Sequence, residues 1–386
     1  MFIKTGVSSI KKETESAFGD CILTKRYKDS DKVIAVLSDG LGSGIKANIL
    51  STMTSTMLLG FAENGADLTK ACEIVMNSLP VCKVRKISYS TFSIVVADGE
   101  GNVSIIEEGN PDFILIRNNY TVDIKPEIMA SKTHKDRHLK IYNFRLNIND
   151  ALIFVSDGVT QAGLGSKNLK EGLKREGLIH IVLDYIKSNK DYTPDGLAKR
   201  ITSAAKAVSI DNKANDDISA LVLKCTIPES AIVFTGPPFN SEEDRQWAKN
   251  FEEFEGKKAV AGGTTAKILS RELKKELVLS RETAGSLPAV SFMDGADIIT
   301  EGILTLTRVE EYLSNSNPYE KKDAAADLIK FLLSADCISF VVGAKVNTAH
   351  YDPNLPIEIE LRKDVVKRIA NILKEKYLKK VVVQYV

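Results

Sequence analysis

The 386-residue chain has almost no excess charge of either sign: 52 lysines and arginines stand against 51 aspartates and glutamates, for a net charge of +1 at pH 7. That balance excludes a global field drawing the chain onto nucleic acid or an anionic membrane, so any polyanion contact has to be local. Cysteine is scarce as well. Cys21, Cys72, Cys82, Cys225 and Cys337 are odd in number and never form a C-x-x-C pair, which argues against a disulfide framework and a thiolate zinc site and suits a reducing cytoplasm. No apolar run reaches the roughly 18 residues of a membrane span. The start, Met1-Phe2-Ile3-Lys4-Thr5-Gly6, lacks the apolar stretch of a signal peptide. The expectation is a cytoplasmic protein with neither nucleic acid nor membrane as partner.

What is present is a globular composition, 44% hydrophobic and 27% charged, at a length that outgrows a single core and suggests two domains. The grammar of the chain changes near Ile227. Before it, strands in hairpins surround a helical pair. Val33 to Ser38 reads as a buried strand, Ile45 to Phe61 and Leu68 to Leu79 carry helical stripes, and Asp67 can cap the second helix. Thr91 to Ala97, Val103 to Glu107, Phe113 to Arg117, Tyr120 to Ile124, Ile141 to Leu146, Ala151 to Ser156 and Ala220 to Lys224 read as strands. Helices are expected across Leu169 to Lys187 and after Thr193-Pro194. This is the pattern of an α+β sandwich over residues 1–226. Beyond Pro228, strands and helices alternate from Ala231 to Tyr385, which predicts βαβ units, a mainly parallel sheet and a three-layer α/β domain over residues 227–386.

Four aspartates stand where strands begin or end: Asp20 after Gly19, Asp39 before Gly40, Asp157 before Gly158, and Asp216 before Asp217. Carboxylates converging beside glycines make a hard, oxygen-rich site that favours magnesium or manganese over zinc. Two such ions can activate a water and screen a phosphate's charge, so that phosphoester hydrolysis needs no protein nucleophile. Asp-Gly is also the commonest turn dipeptide, and any single instance is more often structural. The order is the sharper signal: Gly-Asp, then Ser38-Asp39-Gly40-Leu41-Gly42-Ser43-Gly44, then Ser156-Asp157-Gly158-Val159, then Asn215-Asp216-Asp217-Ile218-Ser219.

With these motifs and Glu108-Gly109-Asn110-Pro111, the region from about residue 10 to 226 resembles the PPM (type 2C) serine/threonine protein phosphatases, in the SpoIIE-like branch. The resemblance implies the antiparallel PPM sandwich flanked by helices. It also implies two Mn2+ or Mg2+ ions: Asp39 bridging both, Asp20 and the carbonyl of Gly40 completing one site, Asp157 and Asp216 the other. The implied reaction is attack of metal-activated water on phosphoserine or phosphothreonine of a phosphorylated protein, with Asp39 and Asp20 the residues central to catalysis. The helix pair from Ile45 to Leu79 falls where that branch has regulatory helices; ordinary sheet-covering helices fit the same pattern.

Two departures qualify the resemblance. Leu41 occupies the position where many members carry a proton-donating histidine, and no arginine matches their phosphate-binding one; Lys25 and Arg26 follow Asp20 but read equally well as surface charge. A catalytically weak regulatory binding protein retaining the fold is therefore the alternative. Asp211 and Asp217 flank the site, Asp217 in a supporting place. His134 and His138 have a zinc-compatible spacing on a helix, but without a third ligand a surface segment is the better reading. In the second domain, Gly262-Gly263-Thr264-Thr265 joins a strand to a helix, where backbone donors could hold an anion. Neither G-x-x-x-x-G-K nor G-x-G-x-x-G occurs to favour a nucleotide. That domain is expected to bind a small anionic ligand or a protein partner.

Overall fold

The computed structural model describes residues 1–27, 31–79, 90–134, 137–167, 169–279, 291–315, 323–343 and 355–386. They divide into two compact units, Met1–Ile227 and Pro228–Val386.

The first unit is built on two antiparallel sheets. One has six strands, β2 (Asp20–Arg26), β3 (Val33–Gly40), β4 (Ser90–Ala97), β5 (Asn102–Glu108), β9 (His138–Arg145) and β8 (Glu127–Ala130), in that spatial order. The other has five, β1 (Phe2–Ile10), β11 (Ile218–Thr226), β10 (Ala151–Val155), β6 (Ile114–Arg117) and β7 (Tyr120–Val122). Side chains alternate across each strand, and this alternation divides the core. Leu37, Val95, Ile105, Leu152, Phe154, Leu221 and Leu223 meet between the sheets. On the far side of the six-stranded sheet, Ile34, Val36, Phe92 and Ile94 pack under α1 (Gly44–Glu63) and α2 (Leu68–Ser78). On the far side of the other, Ile153, Val155, Ala220 and Val222 pack under α4 (Lys174–Ser188) and α5 (Pro194–Val208). A one-turn helix, α3 (Asp157–Thr160), follows β10.

Local chemistry sets the helix ends. The Asp67 carboxylate accepts from the Lys70 amide, and the Thr193 hydroxyl accepts from Gly196 with Pro194 at the first helical position. The helix expected from Leu169 begins only at Lys174, because Gly172 takes a left-handed φ of +79° and turns the chain first. Strands β1, β2 and β8 carry no clear alternation of their own; long-range pairing makes them, as with the nine-residue register of β1 along β11 from Phe2 opposite Thr226 to Ile10 opposite Ile218.

The second unit holds a seven-stranded mixed sheet. Its parallel part, in spatial order, is β16 (Ile298–Thr300), β13 (Lys257–Ala261), β12 (Ser230–Thr235), β17 (Cys337–Val342) and β18 (Lys380–Tyr385). The short antiparallel strands β14 (Val278–Leu279) and β15 (Ser291–Phe292) extend one edge. Helices α6 (Asp244–Glu253) and α7 (Gly263–Leu273) cover one face. The other face is covered by α8 (Ile303–Ser314), α9 (Ala324–Ser334) and α10 (Leu355–Glu375). The chain is thus an α+β sandwich followed by a three-layer α/β unit. Among the described residues no helix is long and apolar enough to cross a membrane.

Candidate functional site

The apolar run of β3 is buried through Ser38 and delivers Asp39 and Gly40 at the end of its sheet. In the antiparallel ladder Asp20 lies directly opposite Asp39 and so shares its face. That face is the one carrying Leu37, turned toward the other sheet. From the other sheet, β10 ends just before Ser156-Asp157, while Asp216-Asp217 stand just before β11; the Ser156 amide donates to the Ser219 carbonyl at 3.1 Å and fixes these two segments side by side. The four aspartates therefore meet where the two sheets' edges face each other.

Electrostatics records the convergence. Burial first, and then the negative charges of Asp20, Asp157 and Asp216, push the Asp39 carboxyl up to about 10, with Asp157 close enough to share a proton with it. Burial raises Asp20 to about 7, with Asp217 and Asp216 adding to the rise. Burial also raises Asp216, assisted by Asp157, while the positive charge of Lys12 lowers it. The hydroxyls of Ser156 and Ser219 face Asp20 and pull in the opposite direction. Ser156 Oγ donates to the Asp217 carbonyl at 3.3 Å and Ser219 Oγ shares a 2.9 Å hydrogen bond with Ser9 Oγ in which either can be the donor; both Asp20 oxygens are buried without a direct hydrogen-bond partner.

Among the described residues, no three His, Cys, Asp or Glu side chains are drawn together in ready ligand geometry. The donor set nonetheless fits a hard divalent cation. It is all oxygen, it includes a buried carboxylate with both oxygens unpartnered, and the mutual repulsion that raises these groups is what a cation would offset.

Glycines shape the surround. A Cβ on Gly40 would overlap the backbone of Ala47 in α1, and one on Gly158 would overlap the Asp217 carbonyl. Asn110, from the Glu108-Gly109-Asn110-Pro111 segment, donates to the Leu37 carbonyl at 3.2 Å and to Ser93 Oγ at 3.1 Å, while Thr91 Oγ1, from the residue paired with Asp39, donates to Asn110 Oδ1 at 2.5 Å. This segment anchors the strand ends that carry Asp39.

The other residues singled out from sequence fall variously. Asp217 is buried among these groups, whereas Asp211 is exposed in a turn at φ +56°. Lys25 pairs with Glu63, and Arg26 donates to the Ile3 carbonyl with its guanidinium 3.9 Å from the Phe2 ring centroid, so both serve the far end of β2. His134 accepts, through its carbonyl, from the Arg137 amide in a turn and His138 opens β9, so the two do not share a helix; Lys135 and Asp136 between them, like Cys82, lie outside the described residues. Sequence reasoning missed Lys12, and it quoted Ser219 only as the end of a motif, without its place beside Asp20. Lys12 reaches the site because β1 pairs with β11 and delivers the following loop beside Asp216.

In the second unit, Gly262 (φ +142°) caps α7, Gly263 and Thr264 are exposed in its first turn, and the buried Thr265 hydroxyl accepts from the Gly236 amide at 2.9 Å. These four residues stand together at the carboxyl edge of the parallel sheet, with Thr265 joining two of its turns.

The model of the family described as stage II sporulation protein E (SpoIIE) matches residues 29–226, just over half of the chain. The match begins after Asp20, so that residue's place rests on its pairing with Asp39. Stage II sporulation protein E of Priestia megaterium is 23% identical over 175 residues, covering 45% of this chain and 30% of that protein. Its counterpart from Bacillus subtilis (strain 168) is 23% identical over 146 residues, covering 38% of this chain and 18% of that one. The alignment thus spans less than a third of either relative. A solved structure of the PP2C phosphatase domain of SpoIIE from Bacillus subtilis, with a fragment of its regulatory domain, aligns at 18% identity and a TM-score of 0.48, covering 58% of this chain and 63% of that chain. By the matched half, the chain belongs to the SpoIIE family.

Proposed function

We propose that the first unit hydrolyses phosphoserine and phosphothreonine in a phosphorylated protein, using two Mn2+ or Mg2+ ions. Asp39 would contact both ions, Asp20 and the Gly40 carbonyl would complete one site, and Asp157 and Asp216 the other. The observation that supports this reading is the electrostatic coupling of Asp39 to Asp20, Asp157 and Asp216, from two sheets, together with the buried and unpartnered carboxylate oxygens of Asp20. When bound, the ions supply a water of lowered pKa and screen the phosphate's charge.

The chain's own residues do the rest. The two β-ladders hold the aspartates at strand ends, where their backbones have little freedom. Gly40 lets α1 close over the site, and Gly158 lets β11 approach it. Lys12 supplies positive charge at the rim beside Asp216. Leu41 offers no proton, so the departing serine or threonine alkoxide would take its proton from water to leave as the alcohol. For the second unit, residues 227–386, we propose binding of a small anion or a protein partner at the Gly262-Gly263-Thr264-Thr265 turn.

Turnover of a phosphoserine peptide by the full chain, with and without Mn2+, tests the reading. Activity should require the metal and fall to background in Asp39→Asn; undiminished activity in that variant overturns the mechanism. Leu41 and the lack of a sequence match to the family's phosphate-binding arginine also favour a second reading, a regulatory binding protein with negligible turnover. Metal binding without hydrolysis of any phosphoprotein selects it.

A further inference from the structure

Asp217 stands between the two halves of the aspartate cluster and is buried with only 4% of its surface exposed. Its Oδ1 accepts from the Lys12 amide at 3.0 Å and its Oδ2 from the Gly19 amide at 2.6 Å. Gly19 directly precedes Asp20. The Asp217 amide donates to Asp216 Oδ1 at 2.9 Å, and its carbonyl accepts from Ser156 Oγ at 3.3 Å, one residue before Asp157. That same carbonyl fills the space a side chain on Gly158 would need. One residue therefore touches the segments carrying Asp20, Asp157 and Asp216, and it ties the start of β2 in one sheet to the start of β11 in the other.

We infer that Asp217 is a positioning residue that sets the distance between the Asp20–Asp39 pair and the Asp157–Asp216 pair, and with it the site's affinity for divalent metal. The inference rests on the metal-site reading proposed above. Both of its oxygens are already engaged by amides, so its part is to hold ligands in place. A carboxylate is the group that suits this place, because two N–H donors converge on it and each needs an acceptor. An amide side chain could accept from only one and would turn its own NH2 toward the other, leaving a buried donor facing a donor. Groups that orient metal ligands from behind typically change metal affinity by about 10- to 100-fold when removed.

The test uses the full chain. Mn2+ binding is measured by titration calorimetry on the wild type, Asp217→Asn, Asp217→Glu and, as a control, Asp150→Asn. The glutamate variant keeps the charge and both acceptors but displaces them by one methylene, so the comparison survives if the asparagine variant does not fold. Asp150 is equally buried, pairs with Arg117 at 2.6 Å, and none of its partners carries a cluster aspartate. An unfolded fraction in reversible equilibrium raises the apparent dissociation constant by the inverse of the folded fraction, so the folded fraction of each variant, read from a urea melt under the assay conditions, is divided out before affinities are compared. The Asp217 variants should bind Mn2+ about tenfold or more weakly, and in turnover the metal concentration for half-maximal rate should rise while the KM for phosphopeptide holds. Asp150→Asn should melt earlier with wild-type metal affinity. Wild-type Mn2+ affinity in folded Asp217→Asn or Asp217→Glu overturns the inference. If Asp39→Asn also binds Mn2+ normally, the metal-site reading itself has failed; if Asp39→Asn loses the metal while the Asp217 variants keep it, only the positioning role is lost.

Discussion

Gly40→Ala puts a single methyl group where the site and the helix over it meet. A Cβ on Gly40 would fall inside contact distance of the Ala47 carbonyl oxygen, its carbonyl carbon and its Cα. All three are backbone atoms of α1, and Ala47 is completely buried, so no flexible side chain can yield. Helix α1 would have to withdraw by about an ångström or β3 would have to bend, and overpacking of this kind costs about 1–3 kcal/mol. For a unit of this size that corresponds to a fall in melting temperature of about 3–10 °C. The same shift moves the Gly40 carbonyl, so Mn2+ should bind more weakly. Gly60→Ala is the internal comparison. It lies in the same helix with nothing within 4 Å of the added carbon, and there alanine should stabilise by about 0.4–1 kcal/mol. Differential scanning calorimetry of the wild type and both variants, with and without Mn2+, measures all of this. A Gly40→Ala protein that melts within about a degree of wild type and keeps its metal affinity would refute the packing argument.

Three further outcomes follow from the structure. Asp20 and Asp39 are raised by burial and neighbouring carboxylates from an ordinary value of 3.8 to about 7 and about 10. Their contribution to stability is therefore complete below about pH 4 and lost as pH rises through 7 and then 10. Metal-free protein should lose stability between about pH 5 and pH 8 in urea melts, and Mn2+ binding should release protons; a pH-independent midpoint contradicts this. Arg137 holds buried Glu108 through a 2.8 Å Nε–Oε1 bond, so Arg137→Ala, which strands that carboxylate, should cost about 3–5 kcal/mol, and the double variant with Glu108→Ala should cost less in a denaturant-melt cycle. Thr265→Val removes the acceptor of the buried Gly236 amide and should lower the second unit's stability by about 1–3 kcal/mol, read from the fluorescence transition of Trp247, the chain's one tryptophan.

The elements that sequence revealed are those whose signal is local. The unbroken apolar run of β3, the Asp67 and Thr193 caps, and the strand-helix alternation after Pro228 each depend on neighbours within a few residues. Strand β1 was invisible because its warrant is β11, over two hundred residues away, and with it went the route that brings Lys12 to Asp216. The helix expected from Leu169 failed at Gly172, whose left-handed turn a periodicity count does not register. Asp39 and Asp157 were legible because Asp-Gly pairs mark strand ends, and Asp20 and Asp216 because they stand where strands begin. Their electrostatic coupling was not, since it arises only where two sheets' edges meet. Asp217 shows the same limit: its place beside Asp216 is plain in the sequence, but its two amide partners lie about two hundred residues upstream.

The central claim is that one divalent-metal site draws on both sheets and turns on Asp39. Anomalous diffraction from crystals of the full chain soaked in Mn2+ tests it most directly. The account predicts two anomalous peaks, both bonded to Asp39, one also to Asp20 and the Gly40 carbonyl, the other to Asp157 and Asp216. A single peak, or peaks that leave Asp39 unbonded, would contradict it.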